Sequence, residues 1–271
     1  MWNDCAEPPW KARVSELAEH LPYSDAELYD RGMRTLIASW EAFTIGAAGA
    51  EVRRLPGVTT AVFPSDPERI VFNNAVLHHH AATTDSIDAM EAAYAGAGIT
   101  HYAAWVHETG HEMRAALEQR GFTLADSTRA MGMSLLDLHL PRPEIELGSL
   151  DWGGYARRFG LPDGLLSGAD HSQLHLAFAR FDGDIAATAL AFDHDDDCGI
   201  YNVTTLDHAR RRGLGGALTA TLLHDAIARG CQTASLQSTP MAERVYAAVG
   251  FRDLGLILEY VPTSTSVEGY L

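Results

Sequence analysis

The sequence predicts an α/β (α+β) fold of two tandem lobes, each with a mixed central β-sheet flanked by helices. The chain has 271 residues, and at about 150 residues per domain this suits one large or two small domains. A natural linker occurs where Pro141 and Pro143 disfavour both helix and central strand. The pattern of elements is similar on its two sides. We therefore expect lobes at 1–140 and 141–271.

The second lobe has the clearer pattern. Leu214, Leu218 and Leu222 recur at helical spacing, and Gly230 suits the end of that helix. The predicted elements are strands at 174–181 and 185–192 joined by a turn at 182–184, an acidic loop at 193–197, a strand at 200–206, a helix at 214–229, a strand at 233–238, a helix at 241–249 and a strand at 251–261.

The first lobe is a weak copy of the second, offset by about 130 residues. It has a helix predicted at 87–97 and a strand at 99–106, and residues 115–122 lead into a further strand as 244–251 do. In this match Leu117 falls where Tyr246 stands. Residues 78–81 likewise fall near 210–213, so the first lobe lacks the glycines and the tyrosine of the second.

Charge and cysteine content restrict the partners and the compartment. The chain has 20 Lys+Arg, 36 Asp+Glu and a net charge of −16, which argues against a nucleic-acid partner and suits a small amine. No secretory signal and no apolar run of roughly 18 residues is seen, so no membrane partner is expected. Cys5, Cys198 and Cys231 are widely spaced without a CxxC pair, which predicts free thiols in the cytoplasm.

A glycine-rich loop follows the strand at 200–206. Gly213, Gly215 and Gly216 open the next helix, where glycines let backbone amides approach an anion and the helix dipole favours negative charge. The three arginines at 210–212 add positive charge. Leu218 breaks a dinucleotide GxGxxG spacing, and no Gly-Lys-Ser/Thr of a Walker loop is present. An ordinary turn with solvated arginines is the alternative.

Two linked motifs resemble those of the GCN5-related N-acetyltransferase (GNAT) superfamily. Residues 210–215 match its acyl-CoA loop, Q/R-x-x-G-x-G/A. Ala242, Tyr246, Gly250 and Phe251 match its A-x-x-x-Y-x-x-x-G-F ending. The chain looks like a tandem member of the superfamily in which the first lobe has degenerated.

The resemblance implies acetyl-CoA as co-substrate and specific roles for individual residues. Backbone amides of 211–216 would bind the pyrophosphate, and the main chain of Val203 and Thr205 would bind the thioester carbonyl and the pantetheine. Tyr246 would protonate the departing CoA thiolate, unless it is only a core aromatic. The residues expected to bind the co-substrate are Val203, Thr204, Thr205, Arg210, Arg211, Arg212, Gly213, Leu214, Gly215 and Gly216.

A general base is harder to find. Many members of the superfamily use a glutamate on the strand before the loop, but residues 200–205 contain no carboxylate. The acidic stretch at 193–197 and Glu259 are the candidates, and a solvated acidic turn is the alternative for the former.

Two groups of histidines suggest a metal site as an alternative interpretation, but no metal is expected. Neighbouring side chains at 78–80 cannot all converge if they lie on a strand. Residues 107–111 spell HExxH, yet Gly110 is a poor helix former and the residues before it resemble a strand. A zinc hydrolase is therefore the less favoured alternative.

The function expected is that of an N-acetyltransferase, which moves an acetyl group from acetyl-CoA to a primary amine of a small molecule by direct transfer. A catalytically silent acyl-CoA-binding or sensor protein is the alternative. The first lobe would shape the acceptor site together with 151–168, where Trp152, Tyr155 and Phe159 line either a pocket or a buried helix face.

Overall fold

The computed structural model describes residues 22–159, 161 and 172–263. Six helices and ten strands occur in this part of the chain, and three short 3-10 turns connect some of them. In chain order they are α1 (Asp25–Thr44), β1 (Glu51–Leu55), β2 (Val58–Val62), β3 (Asn74–Leu77), α2 (Thr84–Gly96), β4 (Ala103–His107), α3 (His111–Gln119), β5 (Phe122–Ser134), α4 (Trp152–Phe159), β6 (Leu174–Phe181), β7 (Asp184–His194), β8 (Asp197–Thr205), α5 (Leu214–Arg229), β9 (Thr233–Ser238), α6 (Glu243–Val249) and β10 (Arg252–Pro262).

The described strands form one mixed sheet in the order β1-β2-β3-β4-β10-β5-β9-β8-β7-β6. The pairs β3–β4 and β8–β9 are parallel and the remaining pairs are antiparallel. Helices flank the sheet, so the predicted α/β fold class is confirmed.

The element order is the same in both halves of the chain. Each half runs α-β-β-β-α-β-α-β, from α1 to β5 and from α4 to β10. The order of strands in the sheet is symmetric about the boundary between β10 and β5, because β1 to β4 mirror β6 to β9.

The two halves exchange their last strands. β5 comes from the first half, yet it pairs with β9, where Met131 lies opposite Leu236. β10 comes from the second half and pairs with β4, where Ile257 lies opposite His107. β5 and β10 then pair with each other at the centre of the sheet. The division at 1–140 and 141–271 remains a prediction; the sheet runs without a break across both segments.

Opposite faces of the second half are covered by different helices. On one face Ile200 and Leu236 pack in a core with Leu218 of α5 and Tyr246 of α6. On the other, α1 and α4 share a core with β6 and β7 that includes the buried Tyr155. The same face continues toward the first half, where Trp40 of α1 packs edge-on to Trp105 of β4 at 5.8 Å.

Helix α1 has no counterpart among the predicted elements, and its start shows why it forms. The Ser24 side chain accepts a hydrogen bond from the Glu27 amide, and the Glu27 carboxylate accepts one from the Ser24 amide, which makes a capping box. Leu28 and Leu36 lie on its buried face. None of the helices in the described part of the chain is both long and apolar enough to cross a membrane.

Some predicted boundaries were wrong. Strand β8 begins at Asp197 rather than Ile200, and the acidic loop shrinks to a tight hairpin turn in which Asp195 and Asp196 have φ of 46° and 61°. Aspartate tolerates this left-handed conformation better than most residues. Helix α6 begins at Glu243 rather than Met241.

Candidate active site

A cleft opens between β8 and β9. Their parallel pairing ends at Ile200 and Leu236. Beyond this point β8 stays paired with β7 as far as Thr205, and β9 stays paired with β5 as far as Ser238. The two strands therefore diverge, and the edge of β8 that faces β9 has main-chain groups with no strand partner in the described part of the chain.

A β-bulge at Asn202 accompanies this divergence. The register of β7 and β8 shifts between the pairs Leu190–Tyr201 and Thr188–Thr204. Asn202 has a φ of 51°, and its side-chain amide donates a hydrogen bond to the Tyr155 phenol oxygen at 3.2 Å. Because a bulge bends its strand and increases the local twist, it accounts for the departure of β8 from β9.

The glycine-rich loop lies directly beside the cleft. Gly213 is the N-cap of α5 with a φ of 78°, and no side chain of the described residues caps the helix there. The first amides of a helix have no helical acceptor and lie at its positive end. A Cβ on Gly215 would lie 3.6 Å from Val203 Cγ1, so the open helix start adjoins the unpaired part of β8. This arrangement can bind an anion that continues into the cleft.

Two of the three arginines of the loop, Arg210 and Arg212, contact neighbouring residues. Arg210 Nε donates to the Thr205 carbonyl at 3.3 Å, and Arg210 forms a 3.0 Å ion pair with Asp207. The Arg212 guanidinium lies 4.2 Å from the centre of the Phe181 ring. All three arginines at 210–212 are exposed, so they put positive charge at the surface of an acidic protein.

Tyr246 packs close to this helix start. It belongs to the core cluster against which Val203 and Leu214 pack, and it is 7% exposed. A Cβ on Gly216 would lie 3.4 Å from Val245 Cγ1, so α6 adjoins the first turn of α5. Burial raises the pKa of Tyr246 to about 12. The phenol therefore stays protonated near neutral pH and can act as a proton donor.

Residues 144–251 match the family model of the acetyltransferase (GNAT) family. The match includes the cleft strands, the glycine-rich loop and Tyr246. This part of the chain is therefore similar to a GNAT domain. Acyl transfer is the class of reaction that this similarity supports.

Solved structures resemble the fold over most of the chain. A GCN5-related N-acetyltransferase from Kribbella flavida is 18% identical with a TM-score of 0.61, covering 84% of this chain and 95% of its own. One from Sphaerobacter thermophilus is 14% identical with a TM-score of 0.55, covering 75% and 76%. A glucosamine N-acetyltransferase region of a fungal multi-domain protein is 14% identical with a TM-score of 0.55, covering 85% of this chain and 37% of its own. At these identities the likeness concerns the fold alone. No curated protein matches the chain.

The residues singled out from the sequence fall into one region of the segment 144–251. Val203, Thr204 and Thr205 lie on the diverging end of β8. Arg210, Arg211, Arg212 and Gly213 form the loop, Leu214, Gly215 and Gly216 make the first turn of α5, and Tyr246 lies on α6. The structure brings these elements together around the cleft; their roles as ligands and acid remain predictions.

The acidic stretch at 193–197 lies away from the cleft, so its prediction as a source of the general base was wrong. It adjoins the first residue of β8, whereas the cleft lies at the other end of that strand. Asp193 is paired with Arg229 and His175, and despite its burial these two partners lower its pKa. Buried Asp197 accepts hydrogen bonds from Thr233 and Ser235. Both carboxylates therefore stabilise the fold through these contacts.

Glu259, the other candidate base, lies on β10 between β4 and β5. It is therefore two strands away from β9, or about 10 Å across the sheet. Burial and the nearby Asp126 raise its pKa to about 7. It is a buried carboxyl of unusual basicity, but it does not border the cleft.

The corresponding region of the first half is closed. The Ser86 hydroxyl, in the first turn of α2, donates to the Pro56 carbonyl at 2.9 Å. A Cβ on Gly57 would lie 2.6 Å from the Ala81 carbonyl oxygen, so the turn between β1 and β2 packs against the start of α2. His78 is hydrogen-bonded to Thr59. Leu117 on α3 is fully buried. The start of α2 offers no counterpart to the open start of α5.

The HExxH residues do not share a helix. His107 ends β4 and His111 begins α3. His107 instead contacts the Thr109 hydroxyl and the Leu254 carbonyl. Within the described ranges, no three His, Cys, Asp or Glu side chains are grouped as metal ligands would be.

Sequence reasoning missed Asn202 and the partner role of Tyr155. The only signal was an asparagine, which tolerates the left-handed region, inside an otherwise β-favouring run at 200–205. From the sequence, Tyr155 is expected either in a pocket or on a buried helix face. It is fully buried, and its hydroxyl meets the bulge.

Proposed function

We propose that the protein is an acetyl-CoA-dependent N-acetyltransferase that acetylates a primary amine of a small molecule by direct transfer. The observation that carries this proposal is the contrast between the helix starts of the two halves. The start of α5 adjoins the diverging end of β8, whereas the start of α2 packs against the turn at Pro56 and Gly57. One half is thus suited to a pyrophosphate and a pantetheine arm, and the other is not.

The reaction uses main-chain donors and one phenol. The amine nitrogen attacks the thioester carbon, a C–N bond forms, and the carbonyl oxygen becomes an oxyanion near the main chain of Val203 and Thr205. Fixed donors at that position stabilise the oxyanion. The C–S bond then breaks, and Tyr246 gives its proton to the leaving sulfur. The phenolate that remains regains a proton from water. Amide and free CoA are the products.

The amine loses its extra proton without help from a carboxylate on β8. Residues 198–205 contain none, and the acidic residues at the start of the strand are engaged elsewhere. The amine is therefore bound as the free base, and the proton of the tetrahedral adduct passes to water.

The remaining features of the proposal concern partners and organisation. A net charge of −16 suits a cationic acceptor better than a nucleic acid. The repeated element order supports two tandem GNAT-like lobes at 1–140 and 141–271, of which the first is degenerate and shapes the acceptor site. Free Cys198 and Cys231 suit a reducing cytoplasm.

Tyr246→Phe tests the proposal, with Tyr102→Phe as its control. Tyr102 is also 7% exposed and has a pKa raised to about 12, but it lies in the core of the first half. With a panel of primary amines, release of free CoA thiol should fall by about 10² to 10⁴ in Tyr246→Phe, with an unchanged Kd for acetyl-CoA. Tyr102→Phe should keep wild-type turnover.

A silent acyl-CoA-binding protein makes the opposite prediction. It would bind acetyl-CoA yet release no thiol with any amine, and Tyr246→Phe would change nothing. That result would overturn the enzymatic proposal. A protein that does not bind acetyl-CoA would overturn both.

A further inference from the structure

Three polar groups without partners lie together at the junction of the two halves. Glu259 is 7% exposed, and in the described part of the chain its carboxylate has no ion pair and no hydrogen bond. Trp105 Nε1 and Thr128 Oγ1 are buried and have no hydrogen-bond partner among the described residues. Buried polar groups in proteins are normally satisfied, so two such exceptions beside an unpaired carboxylate indicate a ligand.

The strand register places the three groups on one face of the sheet. Glu259 lies directly opposite Trp105 on β4, and such cross-strand partners have Cβ atoms about 5 Å apart on the same face. Thr128 of β5 lies opposite Ile257. Ile257 is two residues from Glu259 and so shares its face. One carboxylate, one indole N–H and one hydroxyl are therefore within reach of one small molecule.

The surroundings are apolar on one side and open on the other. Trp105 packs edge-on to Trp40 of α1, and Ile257 is buried beneath the same helix. Asp126, which lies opposite Glu259 on β5, is exposed. The group is thus close to the surface beside Asp126, and a small molecule has a short path to it.

The chemistry of the three groups restricts the ligand. No cationic side chain of the described residues pairs with Glu259. Burial together with Asp126 raises its pKa to about 7, so a ligand cation would stabilise its charged form. Trp105 Nε1 can only donate, so it needs an acceptor. The Thr128 hydroxyl can donate or accept a hydrogen bond. An ammonium with an adjacent hydroxyl supplies both the cation and the acceptor.

We propose that Glu259, Trp105 and Thr128 form a binding subsite for the amino-alcohol group of a small molecule. The ammonium pairs with the Glu259 carboxylate, and the hydroxyl oxygen accepts from Trp105 Nε1–H. The subsite lies two strands from β9, so the amine held here is not the one acetylated in the cleft. Its occupancy is measured without acetyl-CoA and stands apart from the transfer reaction.

Ethanolamine is the probe, and the Trp105 indole N–H resonance in a ¹H–¹⁵N spectrum is the readout. Trp105→Phe identifies that resonance by removing it. Ethanolamine at pH 8 should shift it in a saturable manner. Propylamine, which lacks the hydroxyl, and ethylene glycol, which lacks the charge, should each bind at least tenfold more weakly.

Two variants and one control locate the binding. Glu259→Gln should weaken ethanolamine binding at least tenfold, and Thr128→Val several-fold. Glu112→Gln removes an exposed carboxylate from α3 with the same change in net charge and should bind as the wild type does. The absence of a saturable shift in the wild type would overturn the proposal, as would equal binding by Glu259→Gln. Equal affinity for propylamine would overturn the assignment of the ligand class.

Discussion

The side-chain amide of Asn202 donates to the phenol oxygen of Tyr155 over 3.2 Å, which ties helix α4 to the bulge where β8 leaves β9. Asn202 holds a φ of 51°, a conformation that is costly for residues other than glycine. The hydrogen bond offsets part of this cost. The width of the cleft therefore depends on a tyrosine from a helix on the opposite face from α5.

Tyr155→Phe should reduce kcat/KM for acetyl-CoA about fivefold, since a single hydrogen bond contributes about 1 kcal/mol. The matched control is Tyr94→Phe, because the Tyr94 hydroxyl donates to the Ala61 carbonyl at 3.2 Å in the first half. Steady-state kinetics and thermal unfolding of both variants provide the comparison. Equal losses of activity in the two would show that general stability, and not the bulge, matters.

Gly213→Ala should weaken acetyl-CoA binding at least tenfold. The φ of 78° at Gly213 is strained for alanine, so the first turn of α5 would move. Gly230→Ala introduces the same strain at the other end of this helix, where φ is 103°. Both should lose about 1 kcal/mol of stability, but calorimetry should find weaker acetyl-CoA binding only for Gly213→Ala.

The pH dependence of turnover tests whether the amine reacts without a carboxylate base beside the cleft. Because β8 offers no base beside the cleft, kcat/KM for the amine should rise with pH until the amine's own pKa is reached. Two acceptor amines of different pKa should give two different profiles. A common plateau near pH 7 that disappears in Glu259→Gln would instead identify Glu259 as the base.

Stability should depend on the ionisation of Glu259. Its pKa is raised in the folded protein from the usual 4.5 to about 7, so the folded state binds the proton more tightly than the unfolded state does. This contribution is fully present below pH 4.5 and is lost as pH rises through 7. In denaturant unfolding, the free energy of unfolding of Glu259→Gln relative to that of the wild type should rise by up to about 3 kcal/mol between pH 4.5 and 8. A constant difference between the two would contradict the raised pKa.

The exchange of β5 and β10 predicts how fragments of the chain behave. Residues 141–271 alone lack β5, which leaves β9 without its neighbour on that side, and 1–140 alone lack β10. Each fragment should be insoluble or unfolded when expressed alone. Co-expression should give a soluble complex, detected by size exclusion and by acetyl-CoA binding. A fragment 141–271 that folds and binds acetyl-CoA alone would contradict this.

The order of elements in the second half was predictable because each depends on local signals. The hairpin at 182–184 and the glycines around α5 specify their own conformations. Strand exchange was not predictable. The alternation of apolar and polar residues along β10, as at Leu258 and Glu259, is equally compatible with pairing to β4 or to β9. The bulge at Asn202 was also missed, because its cause is a contact with Tyr155, 47 residues away.

The path of β10 has a consequence for synthesis on the ribosome. Strand β4 is complete at residue 107, yet its neighbour spans 252–262. The chain must emerge as far as residue 262 before that edge is covered. Until then β4 is an exposed strand edge, which invites pairing with other chains. Nascent chains should therefore depend on chaperones until β10 has emerged, and a stop codon before β10 should be as harmful to the first half as to the second.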